Sequence, residues 1–455
     1  MSTSSILRVK SIQVDGLFET FDHRVDLNLD ERVTILHGPN GVGKTMLLRM
    51  TNAMLNGRYG LFREVPFTRF ALAFTDDTCI ELVVAPPDAR KQTNSAPVLT
   101  LRLLRSGKHA ESYKLPQHQA WNHSDLQKLR ARAWNPSSLR FLAEALTERG
   151  LVTGGKRPSL EDVSANIANM RNLLGDSAEG EEPVWLSEAR ARVLVHVIEA
   201  QRLLRIAFDD LLNEASDPKT TLTVVNYARD MSALVKETMA RYGQQSQSLD
   251  QSLPQRLLNA RAAPFPREAL KQRMRDLDTR RAELKEIGLL DESDSHPLDS
   301  RALDGLDEYQ ESVLNLYVND TEQKLSVLDD LARRTRLLLN NVNQKFQHKH
   351  IRIDPNRGIV AQGRRGERLE LDQLSSGEQH ELVLHYDLLF RVRPNTLVLI
   401  DEPELSLHVA WQKRFLPDLL EIVATAQFDV LMATHSPFIV GDRSDLTIGL
   451  GAEPV

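Results

Sequence analysis

A glycine-rich loop constrains this chain more than any other stretch of its 455 residues. The loop follows an apolar run at residues 33–36 and precedes a segment with helical periodicity at residues 46–55. Strand, glycine loop and helix in this order are the context of a Walker A phosphate-binding loop. The residues that match its pattern are Gly38, Pro39, Asn40, Gly41, Val42, Gly43, Lys44 and Thr45.

The residue types in this loop predict a site for a nucleoside triphosphate. Glycines let the backbone turn tightly and point its N–H groups inward as a nest for an anion, and the helix start adds its positive dipole end. Lys44 can reach the β- and γ-phosphates, and the hydroxyl of Thr45 can hold Mg²⁺. ATP and Mg²⁺ are therefore the expected ligands, against the alternative of a glycine turn that binds nothing.

Composition excludes several classes of protein. A net charge of −6 argues against a wholly basic nucleic-acid binder, although a local basic face is compatible with it. The single cysteine, Cys79, excludes a disulfide framework and fits a reducing compartment. The chain start lacks the pattern of a secretion signal, and no apolar run reaches the eighteen residues of a membrane span. We expect a cytoplasmic protein that does not enter the membrane.

Polar residues follow two further apolar runs, as expected at the carboxyl ends of buried parallel strands. Asp401 and Glu402 come directly after the run at residues 397–400, and His435 follows the run at residues 430–434. Asp401 is predicted to hold Mg²⁺ as the Walker B carboxylate, and Glu402 to polarise the attacking water as general base. His435 is predicted to sense the γ-phosphate, with a purely structural histidine as the alternative.

A serine-rich turn precedes a helix that we predict from about residue 380. Ser375, Ser376 and Gly377 stand at its start. A helix N-terminus with free N–H groups and a serine hydroxyl can bind an anion, but the same residues also make an ordinary N-cap. As an isolated motif, the turn does not distinguish these two interpretations.

Hydrophobic periodicity divides the chain into three predicted parts and indicates an α/β fold. Residues 1–184 read as an N-terminal lobe, largely antiparallel strands up to about residue 115, with helical and irregular segments after them. Residues 185–347 read as long helices inserted as a hairpin or coiled coil, and residues 348–455 as a C-terminal lobe. A compact helical domain and an extended arm are both compatible with the insertion.

Within the insertion, the pattern predicts specific helices. Apolar residues at three- and four-residue spacing predict one amphipathic helix over residues 186–211, and another over residues 270–284. The Gln/Ser tract at residues 244–252 is predicted to be a flexible turn. A coiled-coil seam is predicted at residues 325–342.

The set and order of these motifs resembles the ABC-type ATPase heads of the RecF/SMC-like, OLD-like branch. The likeness is carried by the split head and by residues 397–408 and 433–437, which read LVLIDEPELSLH and ATHSP. It implies a mixed sheet with an antiparallel β lobe, split by a long helical insertion, and ATP hydrolysis with Mg²⁺. It also implies a homo-oligomer in which two heads sandwich two ATP, each held by one copy's Lys44 and the other's signature turn.

The same resemblance assigns the signature to Ser375, Ser376 and Gly377, and a D-loop near the dimer seam to residues 404–408. The chain departs from the family pattern in having no glutamine between Thr45 and Gln92, where a Q-loop is expected.

A narrower resemblance concerns residues 374–390, which are similar to the ATPase subunits of bacterial anti-phage systems, of the AriA type of PARIS or the PtuA type of Septu. It implies a sensor of a phage protein that controls a separate Toprim-like or HNH nuclease or a toxin. The alternative is a RecF-like DNA-repair ATPase. Basic residues at 333–336 and 348–352 could then contact DNA phosphates, although charged runs are more often solvated faces.

Overall fold

The computed structural model describes residues 7–84, 98–105, 107–115, 183–198, 204–205, 221–259, 266–290 and 307–451. The helical segment predicted at residues 117–175 lies outside these ranges, as does the glutamine at position 92. Among the described helices, none combines the length and the apolar content that a bilayer crossing requires.

Most of the strands described in the first 115 residues form one antiparallel sheet. The elements there are β1 Val9–Leu17, β2 Phe21–Asp26, β3 Val33–His37, α1 Lys44–Leu55, α2 Leu61–Glu64, β4 Arg69–Phe74, β5 Thr78–Val84, β6 Leu99–Arg105 and β7 Lys108–Lys114. Six of the strands form one sheet in the order β2-β1-β4-β5-β6-β7, with every neighbouring pair antiparallel. The largely antiparallel strands predicted up to about residue 115 are confirmed.

Helices dominate the middle of the chain. Its elements are α3 Val184–Ala191, β8 Val195–Ile198, β9 Leu204–Arg205, β10 Thr221–Leu222, α4 Thr223–Asn259, α5 Arg267–Glu286, α6 Glu308–Ser326 and α7 Asp329–Asn343. At 1.5 Å per residue, the 37 residues of α4 span roughly 55 Å. Ion pairs join these helices, such as Arg273 of α5 with Glu322 of α6 at 2.6 Å.

The last part of the chain returns to alternating strands and helices. Its elements are β11 Lys349–Asp354, β12 Gly358–Gly363, β13 Arg368–Leu369, α8 Ser376–Tyr386, β14 Leu397–Asp401, α9 Val409–Ala426, β15 Asp429–Ala433, α10 Pro437–Val440 and β16 Thr447–Gly449. β11, β12 and β13 form a small antiparallel sheet. The predicted α/β class, with a split head and a helical insertion, is confirmed.

A five-stranded parallel sheet draws on all three parts of the chain, in the order β16-β3-β15-β14-β8. β3, β14 and β15 are buried almost throughout, which explains their uninterrupted apolar runs. Because the strands are parallel, the loops at their carboxyl ends meet at one edge of the sheet. The glycine loop after β3 is thereby brought beside residues that are more than 350 positions away in sequence.

Two predictions within the insertion are wrong. The helix expected over residues 186–211 ends at Ala191, and β8 then pairs in parallel with β14 as an edge strand of the core sheet. Alternating Val195 and Val197 suit a strand as well as a helix, and sheet pairing decides between them. The predicted boundary at residue 185 therefore places β8, a strand of the core sheet, inside the helical insertion. The division of the chain into three parts remains a proposal.

The Gln/Ser tract at residues 244–252 is not a turn, because α4 continues through it. Asp250 in this tract accepts a hydrogen bond from Lys324 of α6 at 2.7 Å, and Arg256 just beyond it pairs with Asp320. The polar composition of the tract does not itself favour a helix, and these contacts with α6 accompany its helical conformation.

The seam predicted at residues 325–342 is buried, but it does not belong to one continuous coil. The buried positions include Leu325, Leu331, Leu338 and Val342. The helix is interrupted between α6 and α7, and α7 packs against α8, α9 and β11 of the C-terminal lobe. The apolar residues of α7 therefore extend the lobe's own core.

Candidate functional site

The glycine loop has a conformation that only glycines adopt without strain. Gly38, Gly41 and Gly43 have φ angles of 151°, 85° and 94°. A Cβ atom on Gly38 would lie 2.3 Å from the carbonyl oxygen of Leu450, which follows β16. The loop therefore requires glycine both for its backbone angles and for close approach of the neighbouring chain.

Lys44, the first residue of α1, is buried beneath this loop. Its Nζ donates hydrogen bonds to the carbonyl oxygens of Gly38 at 2.9 Å and Pro39 at 3.0 Å. Burial lowers the pKa of the Lys44 ammonium, while the nearby carboxylates act in the opposite direction. A positive charge is thus held against the glycine loop at the N-terminus of α1, where an anion gains from the charge and from the helix start.

The next residue joins the loop to β14. The Thr45 hydroxyl donates to Oδ1 of Asp401 at 3.0 Å. Burial raises the pKa of Asp401, and the Thr45 hydrogen bond opposes that rise. A hydroxyl and a carboxylate oxygen are ligands of the kind that Mg²⁺ prefers, so this pair of side chains fits the predicted metal.

Glu402 and His435 meet above Lys44. His435 Nε2 lies 3.1 Å from Glu402 Oε1, and His435 Nδ1 lies 3.4 Å from Lys44 Nζ. Glu402 has a φ angle of 46°, a left-handed conformation that costs a non-glycine residue energy and that is concentrated at functional sites. Burial and the neighbouring carboxylates of Glu404 and Asp401 raise the pKa of Glu402 to about 7.

Two further residues support this constellation: Glu404, which the sequence placed only in the D-loop region, and His23, which was not predicted. Glu404 accepts three hydrogen bonds from the segment that carries His435. His23 of β2 is buried and its Nε2 donates to the carbonyl oxygen of Val42 in the glycine loop at 2.7 Å. The sequence offered a signal for Glu404, a third acidic residue two positions after Glu402, but none for His23.

The serine-rich turn forms a separate group. Ser375 caps α8: its hydroxyl accepts from the Glu378 N–H, and its own N–H donates to Glu378 Oε2 at 2.7 Å. Ser375 and Ser376 are exposed, and a Cβ on Gly377 would lie 3.5 Å from Trp411. In the described part of the chain, no hydrogen bond joins this turn to the glycine loop.

Burial raises the pKa of Glu378, but its hydrogen bonds with Lys349 and Ser375 outweigh burial and hold the pKa below its ordinary value. The capping carboxylate is therefore charged at neutral pH, and the N-cap interpretation of this turn is observed directly. The exposed serines leave the anion-site interpretation open to a group that comes from outside the chain.

Apolar side chains are exposed around the site. Leu405 and Val409 follow the Walker B pair and are 74% and 53% exposed, and Phe438 of α10 is 49% exposed. A cavity of about 440 Å³ opens beside the glycine loop, lined by residues that include His37, Gly38, Thr434, His435 and Pro437. This edge of the sheet is thus an accessible surface with both polar and apolar character.

A family model described as "AAA domain, putative AbiEii toxin, Type IV TA system" matches residues 175–441, more than half of the chain. The chain belongs to this AAA domain family. Membership supports the predicted nucleotide-binding ATPase at this level of detail. The match includes Asp401, Glu402 and His435 but not the glycine loop, which the parallel sheet brings to the same site.

Two solved structures of Smc head domains are also similar to the chain. The first, from Pyrococcus furiosus, has an extended coiled coil and is bound to the C-terminal domain of ScpA. It shows 14% identity over 97% of this chain and 93% of its own, with a TM-score of 0.31. The second, bound to the C-winged helix domain of ScpA, shows 10% identity over 97% and 93%, with a TM-score of 0.32. Similarity at these TM-scores carries no conclusion about this chain. No curated protein matches it.

Proposed function

We propose that this chain binds and hydrolyses ATP as the regulatory subunit of an anti-phage defence complex. The observation that carries the ATPase proposal is the meeting of five side chains, from the ends of three parallel strands, in one hydrogen-bonded site. These are Lys44, Thr45, Asp401, Glu402 and His435.

Each residue has a role that its chemistry supports. The N–H groups of the glycine loop and the Lys44 ammonium hold the phosphates, and Thr45 with Asp401 would hold Mg²⁺. When bound, Mg²⁺ neutralises charge on the phosphate oxygens. Glu402 accepts a proton from the attacking water as general base. His435, between Glu402 and Lys44, contacts the γ-phosphate and orients Glu402.

A second copy completes the site in this proposal. Ser375 and Ser376 are exposed at a helix start and have no partner in the glycine loop of their own chain. Exposed Leu405 and Val409, which follow the Walker B pair, give an apolar surface that a second head can bury. We propose a head-to-head dimer in which the signature of each copy closes over the ATP held by the other.

The defence role rests on the family description and on the resemblance of the signature helix. The description names a putative toxin of a Type IV TA system, which supports a role within a system of this kind. We propose that ATP-dependent assembly holds a separate nuclease or toxin inactive until a phage protein triggers its release.

The alternative is a RecF-like DNA-binding ATPase. The basic residues at 333–336 give this alternative little support. Arg333 and Arg334 pair with Asp330 at 2.7 and 2.8 Å, and Arg336 pairs with Glu283 at 2.6 Å. Arginines already paired with carboxylates bind phosphates less readily. DNA binding that falls steeply with salt would favour this alternative.

Two substitutions, Lys44→Ala and Glu402→Gln, test the ATPase proposal. Lys44→Ala should abolish ATP binding in a calorimetric titration, because the point charge at the phosphates is lost. Lys324→Ala, a paired lysine on α6, is the control and should bind like the wild type. Wild-type affinity in Lys44→Ala would contradict the proposal.

Glu402→Gln should retain ATP binding, lose turnover by roughly a hundredfold or more, and accumulate dimers with ATP that light scattering detects. Turnover at the wild-type rate would remove Glu402 from its role as general base. The defence role is tested separately, by plating phage on cells that carry the encoding locus with and without Lys44→Ala. Equal protection by both would contradict an ATP-dependent defence function.

A further inference from the structure

A single carboxylate ties the end of β14 to the end of β15. Glu404 lies in the turn directly after the Asp401–Glu402 pair, and its Oε1 accepts three hydrogen bonds. The donors are the Thr434 hydroxyl at 2.8 Å, the His435 N–H at 2.8 Å and the Ser436 N–H at 3.1 Å. All three belong to the segment that follows β15.

This arrangement fixes the backbone of His435 on both sides. Thr434 is almost fully buried, so its hydroxyl depends on a protein acceptor, which Glu404 supplies. Bonds from N–H groups to a charged carboxylate are stronger than neutral ones. The His435 ring is then held where it spans Glu402 Oε1 at 3.1 Å and Lys44 Nζ at 3.4 Å.

The other oxygen, Oε2, is buried and has no hydrogen-bond partner. An unsatisfied buried carboxylate oxygen costs free energy. If this position served only for packing, an apolar side chain would fill it without that cost. An alanine or leucine in this turn would avoid that cost but would release three donors.

We propose that Glu404 is a positioning residue for ATP hydrolysis, which acts by holding the His435 segment so that its ring bridges Glu402 and Lys44. The inference rests on the proposed ATPase function. Glu404 itself touches neither the phosphates nor the metal in this proposal. It positions His435 through the backbone, and separately its charge raises the pKa of Glu402.

The test is a double-mutant cycle on steady-state ATP hydrolysis, measured well above pH 7 so that the charge of Glu404 does not change the protonation of Glu402. Glu404→Ala should lower kcat by roughly tenfold while KM for ATP changes less than about twofold, because loop contacts to ATP are intact. In a His435→Ala background, the same substitution should lower kcat by less than about twofold further. Effects that multiply in the double variant would overturn the proposal.

Rescue by the isosteric amide separates positioning from a general structural effect. Glu404→Gln keeps a side-chain oxygen that can accept from both N–H groups, so its kcat should lie within about threefold of the wild type. A kcat as low as that of Glu404→Ala would overturn the proposal. If Glu404→Ala fails to bind ATP, the cycle is repeated with Thr434→Val, which removes only one of the three donors. Thr434→Val must then lower kcat when His435 is present and not in the His435→Ala background.

Failure here is distinguishable from failure of the proposed function. A wild-type protein without ATP turnover would refute the ATPase proposal itself. A wild-type protein that hydrolyses ATP and depends on His435, but not on Glu404, would refute the positioning role alone.

Discussion

A buried lysine between two buried carboxylates, one on α8 and one on α9, provides a sharp test of how the C-terminal lobe is held together. Lys345 follows α7, its side chain is 2% exposed, and its Nζ contacts Glu381 of α8 and Asp418 Oδ2 of α9, the latter at 2.7 Å. Ligand atoms of Glu381, His385 and Asp418 lie within 4.8 Å of one another, as metal ligands do. The Lys345 ammonium already touches both carboxylates and is the cation of this cluster.

We expect Lys345→Met to destabilise the protein by about 3–5 kcal/mol, the cost of leaving a buried charge without its partner. Methionine keeps the length of the side chain, so the loss reports the charge and not a cavity. This free energy lowers the ratio of folded to unfolded protein by roughly a hundredfold to several thousandfold.

The assay is urea unfolding followed by far-ultraviolet circular dichroism, with the free energy of unfolding taken from the midpoint and slope. Lys324→Met is the matched control: Lys324 also pairs at 2.7 Å, but its partner Asp250 is 63% exposed. An exposed pair contributes about 0–1 kcal/mol. A Lys345→Met loss no larger than that of the control would refute the reasoning.

Three further predictions concern the nucleotide site. Gly38→Ala should abolish ATP binding, because its Cβ would lie 2.3 Å from the Leu450 carbonyl oxygen; unchanged affinity would contradict this. Thr45→Val removes the hydroxyl that donates to Asp401 and should lower turnover by roughly tenfold or more at every Mg²⁺ concentration; a wild-type Mg²⁺ titration would exclude that hydroxyl as a ligand. Because burial and nearby carboxylates raise the pKa of Glu402 to about 7, and a general base must be deprotonated, turnover at saturating ATP should increase with pH across about 7. A flat profile there would argue against Glu402 as the base.

Local chemistry made much of this site predictable. The glycine loop, the buried runs before Asp401 and His435 and the cap at Ser375 are short patterns whose residue types allow few conformations. The structure places these runs in neighbouring parallel strands, as expected from polar residues at their carboxyl ends. The roles assigned to the residues remain proposals.

Predictions failed where pairing between distant segments decides the conformation. Residues 195–198 have apolar spacing compatible with a helix or a strand, and their place beside β14 makes them a strand. The tract at residues 244–252 has no strong preference of its own, and it lies in a helix that packs against α6 and buries Leu249. Neither outcome is encoded within a window of neighbouring residues.

By itself, the sequence determined the phosphate loop, the buried strands β3, β14 and β15 and the α/β class, because glycine angles and apolar periodicity act over a few residues. Only the tertiary structure decided which charges meet. It brings Glu404 to the His435 segment, 30 positions or more away, and pairs Arg336 with Glu283, 53 positions away. Such contacts depend on how strands and helices pack, since a carboxylate in the sequence carries no mark of the donor it will find.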